Sequence, residues 1–329
     1  MNIDSVSRLV GTAKKSWLQL LQKAGLTPDE NWQQTVLIWD GEVLAAAGSR
    51  QENLLKCIAV DPMYQGEGLL ATVLTALRQE AFRQGHRHLF LYTKPANEYL
   101  FRSLMFYPVA KTGDVLLMED KKEGIAQFLQ TLPSAVPGGK VGAAVMNCDP
   151  FTLGHQYLIE TAAKDCSQLY VFVLSEDKGR FSASDRLEMV KRGTEHLPNV
   201  TVLPTGPYLI SAATFPTYFL KDRDKAGQAQ CLLDIEIFCK YYGPHFGITC
   251  RYVGTEPLSE LTRQYNEALA ESLPQRGIGL HQIDRLTKNG DPVSASAVRA
   301  ALAAGDRSKM EILLPETTLN YLTERNLIG

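Results

Sequence analysis

At 329 residues the chain has room for two ordinary domains, each able to bury its own core, and 45% hydrophobic with 21% charged residues excludes disordered and fibrous classes. With 34 basic against 36 acidic side chains and a formal charge of -2, no overall positive field exists to hold a polyanion, so nucleic acid is set aside in favour of small molecules or a protein partner. Asp4, Arg8, Lys14 and Lys15 break the N-terminus where a secretory signal needs an apolar run, no run reaches membrane-spanning length, and the six cysteines hold no C-x-x-C pair; the expectation is a cytoplasmic chain with no membrane segment and no metal site.

The first structural pattern along the chain is a hairpin, in which 36–39 and 42–47 flank Asp40-Gly41, a dipeptide suited to a tight turn between antiparallel strands. Residues 54–60 read as a further strand, 69–83 as a helix and 88–93 as a strand, so 1–132 is expected to be a mixed α+β domain. His86 and His88 alternate onto one face at the start of that last strand, a pattern that fits a solvated edge better than a metal site. The run Leu-Pro-Ser-Ala-Val-Pro-Gly-Gly-Lys at 132–140 opposes helix and strand alike, which makes 133–140 the linker.

Beyond it, over 141–329, the pattern alternates: strand 141–146, helix 154–166, strand 169–174, helix 184–196, strand 200–203. Alternation with strands apolar throughout predicts a doubly wound, Rossmann-like parallel sheet covered by helices on both faces, and the chain as a whole reads as α/β. The first of these helices sets Leu158, Ile159, Ala162, Ala163 and Cys166 on one face, and the second opens on Ser182-Ala-Ser-Asp185, a capping-box pattern.

Ligands of doubly wound sheets sit beyond the carboxyl ends of the strands, where strand order reverses, and the 147–155 loop leaves the first strand there. It delivers Gly154 and His155 to a helix N-terminus, where unpaired N–H groups and the helix dipole favour an anion. Glycine permits close backbone approach and an imidazole donates a hydrogen bond to a phosphate oxygen. The plain alternative is that Pro150 and Gly154 shape a turn and His155 lies on the surface.

The wider segment, Met146-Asn147-Cys148-Asp149-Pro150-Phe151-Thr152-Leu153-Gly154-His155, resembles the nucleotidyltransferase superfamily signature G-x-F-D-P-x-H/T-x-G-H, with Met146 replacing the glycine and Cys148 the phenylalanine. Val293-Ser294-Ala295-Ser296-Ala297-Val298-Arg299 resembles that superfamily's second signature, I-S-S/T-S/T-x-I/V-R. Two hydroxyls and a planar guanidinium at a helix start suit the β- and γ-phosphates of ATP, while Ser294 and Ser296 equally serve as N-caps; the two roles are compatible. Residues 147–159, 208–221 and 251–257 together resemble the citrate (pro-3S)-lyase ligase family over both domains.

That resemblance implies ATP-dependent acetylation of the prosthetic-group thiol on the citrate lyase acyl carrier protein through acetyl adenylate, releasing AMP and diphosphate and activating citrate lyase. Acetate and the carrier protein are the implied partners. ATP contacts fall to Asn147, Thr152, Gly154, His155, Ser294, Ser296 and Arg299, with His155 and Arg299 catalytic through positioning and electrostatics, since no protein nucleophile is required. Mg²⁺ is expected through ATP oxygens, without an assigned protein ligand. Lys178 and Arg180 either reach phosphate or form a solvated basic turn.

In the first domain, Gln65-Gly66-Glu67-Gly68-Leu69-Leu70 before a helix resembles the acetyl-CoA loop of GNAT acetyltransferases, R/Q-x-x-G-x-G/A, with Leu70 where a small residue is usual. Gln65, Gly66 and Gly68 are the residues this resemblance assigns to the prosthetic-group arm. Residues 97–106 resemble that family's N-x-x…Y-x-x-x-G-F element, with Phe101 where the tyrosine acid stands and Met105 for the glycine. Phenylalanine has no proton to give, so the expected domain keeps a binding shape without its acid; the bland reading is a scaffold with a relict loop. An adenylyltransferase acting on a phosphopantetheine- or mononucleotide-like acceptor, and a GNAT enzyme with a nucleotide-sensing domain, are the competing functions; the pairing of both domains with segments 208–221 and 251–257 favours the ligase.

Overall fold

In the computed structural model, which describes residues 1–135, 138–177, 179–210, 215–220, 226–256, 259–288 and 290–328, the chain divides into two units. One comprises Met1–Gln127 and Phe215–Ala229, the other Phe128–Thr214 and Gln230–Gly329, so a segment from the second half of the sequence belongs to the first unit. A single boundary at 133–140 does not describe that return.

The first unit contains β1 (Asn2–Val6), α1 (Gly11–Lys23), β2 (Gln34–Asp40), β3 (Val43–Gln51), β4 (Leu54–Val60), α2 (Leu69–Arg83), β5 (Phe90–Thr93), α3 (Glu98–Arg102), β6 (Tyr107–Lys111) and β7 (Leu116–Glu119). The sheet order is β1-β2-β3-β4-β5-β7-β6, antiparallel except for β4 beside β5, the pair that α2 connects. Val73, Leu74, Leu77 and Ala81 recur at helical spacing along α2 and bury against Val36, Ile38, Ala45, Leu55 and Leu91. In the β2–β3 hairpin Asp40 pairs with Val43, which makes Gly41 and Glu42 the central turn residues, one position later than the sequence suggests. Gly41 takes the left-handed φ of +57° that the tight turn requires. His88 is not a solvated edge: its Nε2 lies 2.7 Å from the buried carboxylate of Glu119 and its ring rests on Phe90 at 4.4 Å. That carboxylate leaves the imidazole half-buried, and β5 begins only at Phe90.

After α4 (Gly124–Gln130), the second unit runs through β8 (Val141–Met146), α5 (Leu153–Lys164), β9 (Gln168–Val173), α6 (Ala183–Thr194), β10 (Val200–Pro204), the part of α7 (Ala226–Ile237) from Gln230 onward, a π-helical turn at Phe238–Tyr242, α8 (Gly243–Phe246), β11 (Cys250–Gly254), α9 (Glu260–Ser272), β12 (Gly279–Ile283), α10 (Ala295–Ala304), α11 (Arg307–Leu313) and α12 (Glu316–Glu324). Its five-stranded sheet is parallel throughout, in the order β10-β9-β8-β11-β12, as the alternating pattern implies. The chain winds outward from β8 through β9 to β10, then returns to β11 on the other side, which puts the switch point between β8 and β11. Ile159, Ala162 and Ala163 of α5, followed by Cys166, bury in one core with Met189 and Val190 of α6 and Val298 and Ala301 of α10.

The capping box expected at α6 forms only by half. Ser182 Oγ accepts the Asp185 N–H at 3.1 Å, but the Asp185 carboxylate accepts the Ser182 hydroxyl and, at 2.6 Å, the hydroxyl of Tyr321 on α12. A tertiary donor thus competes for the side chain that the local pattern would have turned to the backbone.

Candidate functional site

β8 and β11 pair at two positions only, Gly142 with Cys250 and Ala143 with Arg251. Past these the strands part, and a cavity of about 630 Å³ lies between Val145–Asn147 and Tyr252–Gly254, within the size range of small-molecule sites. Two helix N-termini reach its wall. Gly154 is in the first turn of α5, and a Cβ there would stand 3.0 Å from the Val293 carbonyl oxygen, just before the α10 cap Ser294. The missing side chain therefore lets the two sequence signatures close against each other, a packing reason for glycine beside the close-approach reason.

At the start of α5 the full capping box appears. Thr152 Oγ1 accepts the His155 N–H at 3.4 Å, and His155 Nδ1 accepts the Thr152 N–H at 3.1 Å. Burial first, then the nearby Arg285 guanidinium, push the imidazolium down to about 4, so the ring is neutral at pH 7. With Nδ1 accepting, the single ring proton belongs on Nε2. His155 stacks on Phe151 at 6.0 Å, which fixes the ring plane, and lines the cavity, so its Nε2–H is the donor left for a ligand.

Asn147, Gly154, His155, Ser294 and Ser296 line this one cavity. Thr152 is buried behind His155. Arg299 is not on the wall: its Nη1 donates to the Asp149 carbonyl at 2.7 Å and its Nη2 to Ser296 Oγ at 2.9 Å, tying α10 to the 147–155 loop. The Asp149 carboxylate accepts the backbone N–H groups of Arg180 and Phe181, both at 3.0 Å, and so pins the loop before α6. Arg180 is exposed and does not line the cavity; Lys178 and Pro257 lie outside the described residues, as do 211–214 and 221 of the 208–221 segment.

Two arginines enter the site that the sequence reading passed over. Arg285 lines the cavity, donates from Nε to the Thr255 carbonyl at 2.8 Å and pairs with Glu256. Arg186 of α6 is fully buried and joins the loops under the site: Nη1 donates to the Asn147 carbonyl and Oδ1 at 2.8 and 2.7 Å, Nε to the Phe181 carbonyl at 3.3 Å, and Nη2 to the Glu176 carbonyl. All of these acceptors are neutral, so its charge adds to a positive field at the strand ends. A signal for it existed, because Arg186 shares the apolar stripe of α6 with Met189, Val190 and Gly193 at i+3, i+4 and i+7.

The first unit repeats the backbone arrangement. β4 and β5 pair only at Leu54 with Phe90 and Leu55 with Leu91, and a cavity of about 770 Å³ lies between Ile58–Val60 and Leu91–Thr93. Gln65, Gly66 and Gly68 line it. Gly66 and Gly68 have φ of +88° and +76°, and a Cβ on either would meet nothing within 4 Å, so the left-handed backbone rather than crowding calls for glycine. Gly68 caps α2 with no side-chain acceptor, leaving the first N–H groups of that helix without a capping side chain. Phe101 is buried edge-on to Phe106, and Tyr218, from the returning segment, donates its hydroxyl to the Tyr92 carbonyl at 2.6 Å.

Residues 141–322 match the family described as citrate lyase ligase C-terminal domain, and 8–102 match the acetyltransferase (GNAT) family. The chain is 39% identical over 312 residues to a citrate (pro-3S)-lyase ligase of Klebsiella pneumoniae, covering 93% of this chain and 91% of that protein. It is 37% identical over 311 residues to the same enzyme of Escherichia coli strain K12, covering 92% and 88%. A phosphopantetheine adenylyltransferase of Clostridium botulinum (strain 657 / Type Ba4) is 48% identical over 56 residues, 16% of this chain and 34% of that one.

Proposed function

The chain belongs to the citrate (pro-3S)-lyase ligase family, and from that membership we propose a two-step reaction divided between its two cavities. It is an acid–thiol ligase that activates citrate lyase by acetylating the lyase's acyl carrier protein. In the first step, an acetate oxygen attacks the α-phosphorus of ATP in the cavity between β8 and β11, and diphosphate leaves. In the second, the prosthetic-group thiol attacks the acetyl carbon of the adenylate; the thioester forms, the bond to AMP breaks, and the thiol proton is released.

The side chains suit the first step without a protein nucleophile. His155 Nε2–H donates to a phosphate oxygen as charge develops, alongside the N-terminal N–H groups of α5 and α10. Arg285 and the buried Arg186 supply positive field, Asn147, Gly154 and Ser294 shape the wall, and Ser296 offers its hydroxyl. Arg299, spent on Asp149 and Ser296, acts as a positioning residue. Mg²⁺ enters as the ATP complex and keeps its phosphate and water ligands; among the described residues no group of three or more His, Cys, Asp or Glu is placed to hold a metal. Gln65, Gly66 and Gly68, with the open end of α2, receive the phosphate of the prosthetic-group arm in the first unit, and its pantetheine-like chain runs along the parted edges of β4 and β5. Among the described residues no helix is long and apolar enough to cross a membrane, and the reading places the enzyme in the cytoplasm beside its ATP.

The observation that carries this proposal is the near full-length likeness to the ligases, which spans both units. The test is ATP–pyrophosphate exchange with purified protein, with and without acetate, in the absence of carrier protein. Acetate-dependent exchange is expected. The short match to phosphopantetheine adenylyltransferase favours a second reading, AMP transfer to a phosphopantetheine-like acceptor, and the same assay separates the two: exchange driven by 4′-phosphopantetheine but not by acetate would select it.

A further inference from the structure

Arg186 and Arg251 are both buried in the C-terminal unit, and they are matched differently. Arg251 lies 3.7 Å from the buried carboxylate of Asp234 and donates to the Tyr265 hydroxyl at 2.7 Å. Arg186 spends Nε, Nη1 and Nη2 on carbonyl oxygens alone: the backbone carbonyls of Phe181, Asn147 and Glu176 and the side-chain carbonyl of Asn147. Of these partners Asn147 is the one that reaches the ligand, since it is exposed at the end of β8 and lines the larger cavity. An asparagine amide can turn either its oxygen or its nitrogen to a ligand. A guanidinium only donates, so the amide atom 2.7 Å from Arg186 Nη1 is Oδ1. The same Nη1 holds the Asn147 backbone carbonyl at 2.8 Å, so main chain and side chain are gripped together.

With Oδ1 turned to the buried arginine, Nδ2 is left on the exposed side, and it has no hydrogen-bond partner among the described residues. His155 presents its Nε2–H to the same cavity from the other end of the 147–155 loop. We propose that Arg186 is a positioning residue that locks the Asn147 amide with Nδ2 toward the substrates, so that Asn147 donates beside His155 to an oxygen of the reacting α-phosphate. In that step an acetate oxygen bonds to the α-phosphorus, the bond to the β-phosphate breaks, and its electron pair leaves on diphosphate. No proton moves, so a neutral donor that keeps its proton suffices. The inference rests on the acid-activating reading above and gives Asn147 a catalytic part in it.

The experiment is acetate-dependent ATP–pyrophosphate exchange at pH 7 with the full chain. Asn147→Ala is expected to lower kcat about 100-fold, the scale of losing one preorganised donor. Asn147→Asp keeps the oxygen that Arg186 grips but sets a second carboxylate oxygen where the donor stood, so its kcat should lie about tenfold or more below that of Asn147→Ala. Asn147→Asp as active as Asn147→Ala or more active, or Asn147→Ala within about threefold of the unaltered protein, overturns the proposal. Arg186→Lys keeps the charge and loses the fork. It should lower kcat about tenfold by itself and less than about twofold in combination with Asn147→Ala. Equal losses in the two backgrounds would show that Arg186 does not act through Asn147, which also overturns it. Should Arg186→Lys fail to fold, the order of Asn147→Asp and Asn147→Ala decides alone. If the unaltered protein shows no acetate-dependent exchange, the acid-activating reading itself fails; normal exchange with that order reversed removes only the present inference.

Discussion

Each unit has a cavity where a parallel strand pair stops after two residue pairs, Leu54–Leu55 with Phe90–Leu91 in one and Gly142–Ala143 with Cys250–Arg251 in the other. The openings are alike in origin and unlike in lining. In the first unit the walls are mostly apolar and aromatic, and one of its two lining lysines, Lys23, is bound to Asp61 at 2.7 Å. In the second, His155, the Arg285–Glu256 pair, the cap residue Ser294 and Ser296 line the space. The difference teaches that sheet topology makes the crevice while side chains decide what it can hold; the proposed division of labour assigns a long, mostly uncharged arm to one and a polyphosphate to the other.

The sharpest way to break that comparison is His155→Ala. Removing a preorganised donor should lower kcat for acetate-dependent exchange by about two to three orders of magnitude in a protein whose circular dichroism is unchanged. Near-normal turnover would mean that the second cavity does not hold the reacting phosphate where its lining suggests. The same residue sharpens the comparison thermodynamically. Its folded value of about 4 lies below the ordinary 6.5, so as pH falls the unfolded chain takes up a proton first. The stabilisation is present above pH 6.5 and is lost as pH falls toward 4. Between pH 7 and pH 5 the native protein should therefore lose about 2 kcal/mol more stability than His155→Gln, as read by urea unfolding. Parallel losses would show an imidazole open to water.

Arg299→Lys comes next. One ammonium cannot span the Asp149 carbonyl and Ser296 Oγ as the fork does, so kcat/KM for ATP should fall roughly tenfold. Unaltered kinetics would leave Arg299 as a tether with no bearing on the site. Gly68→Val reads the other cavity: a β-branched residue at φ +76° is strained and crowds the approach to α2. KM for carrier protein in acetyl transfer should rise about tenfold, with acetate-dependent exchange unchanged. Equal damage to both half-reactions would dissolve the division of labour.

What the sequence makes legible is what local chemistry decides. β4, α2 and β8 have the expected limits because glycine, proline and strong apolar periodicity bound them. β1 and β12 went unread because their residues are mostly exposed and carry no apolar alternation. In the site, Gly154-His155 and Ser294–Ser296 could be read because a helix N-terminus announces itself within a few residues. Arg285 and Arg251 could not, since their surroundings are assembled from β11, α9 and the turn after β12, far apart in sequence. Arg299 illustrates the intermediate case, in which a motif names the residue but only tertiary partners show what its fork grips.

The return of Phe215–Ala229 to the first unit bears on how the chain is made. When residue 127 leaves the ribosome, Tyr218 and Phe219, which line that unit's cavity, are still to be translated. β8, β9 and β10 of the other unit emerge in between. The first unit's cavity can therefore be completed only after β8, β9 and β10 of the other unit have been translated. A nascent chain paused between residues 128 and 214 carries an unfinished wall, without Tyr218 and Phe219, and a gene fragment ending at the linker would encode that same incomplete state permanently.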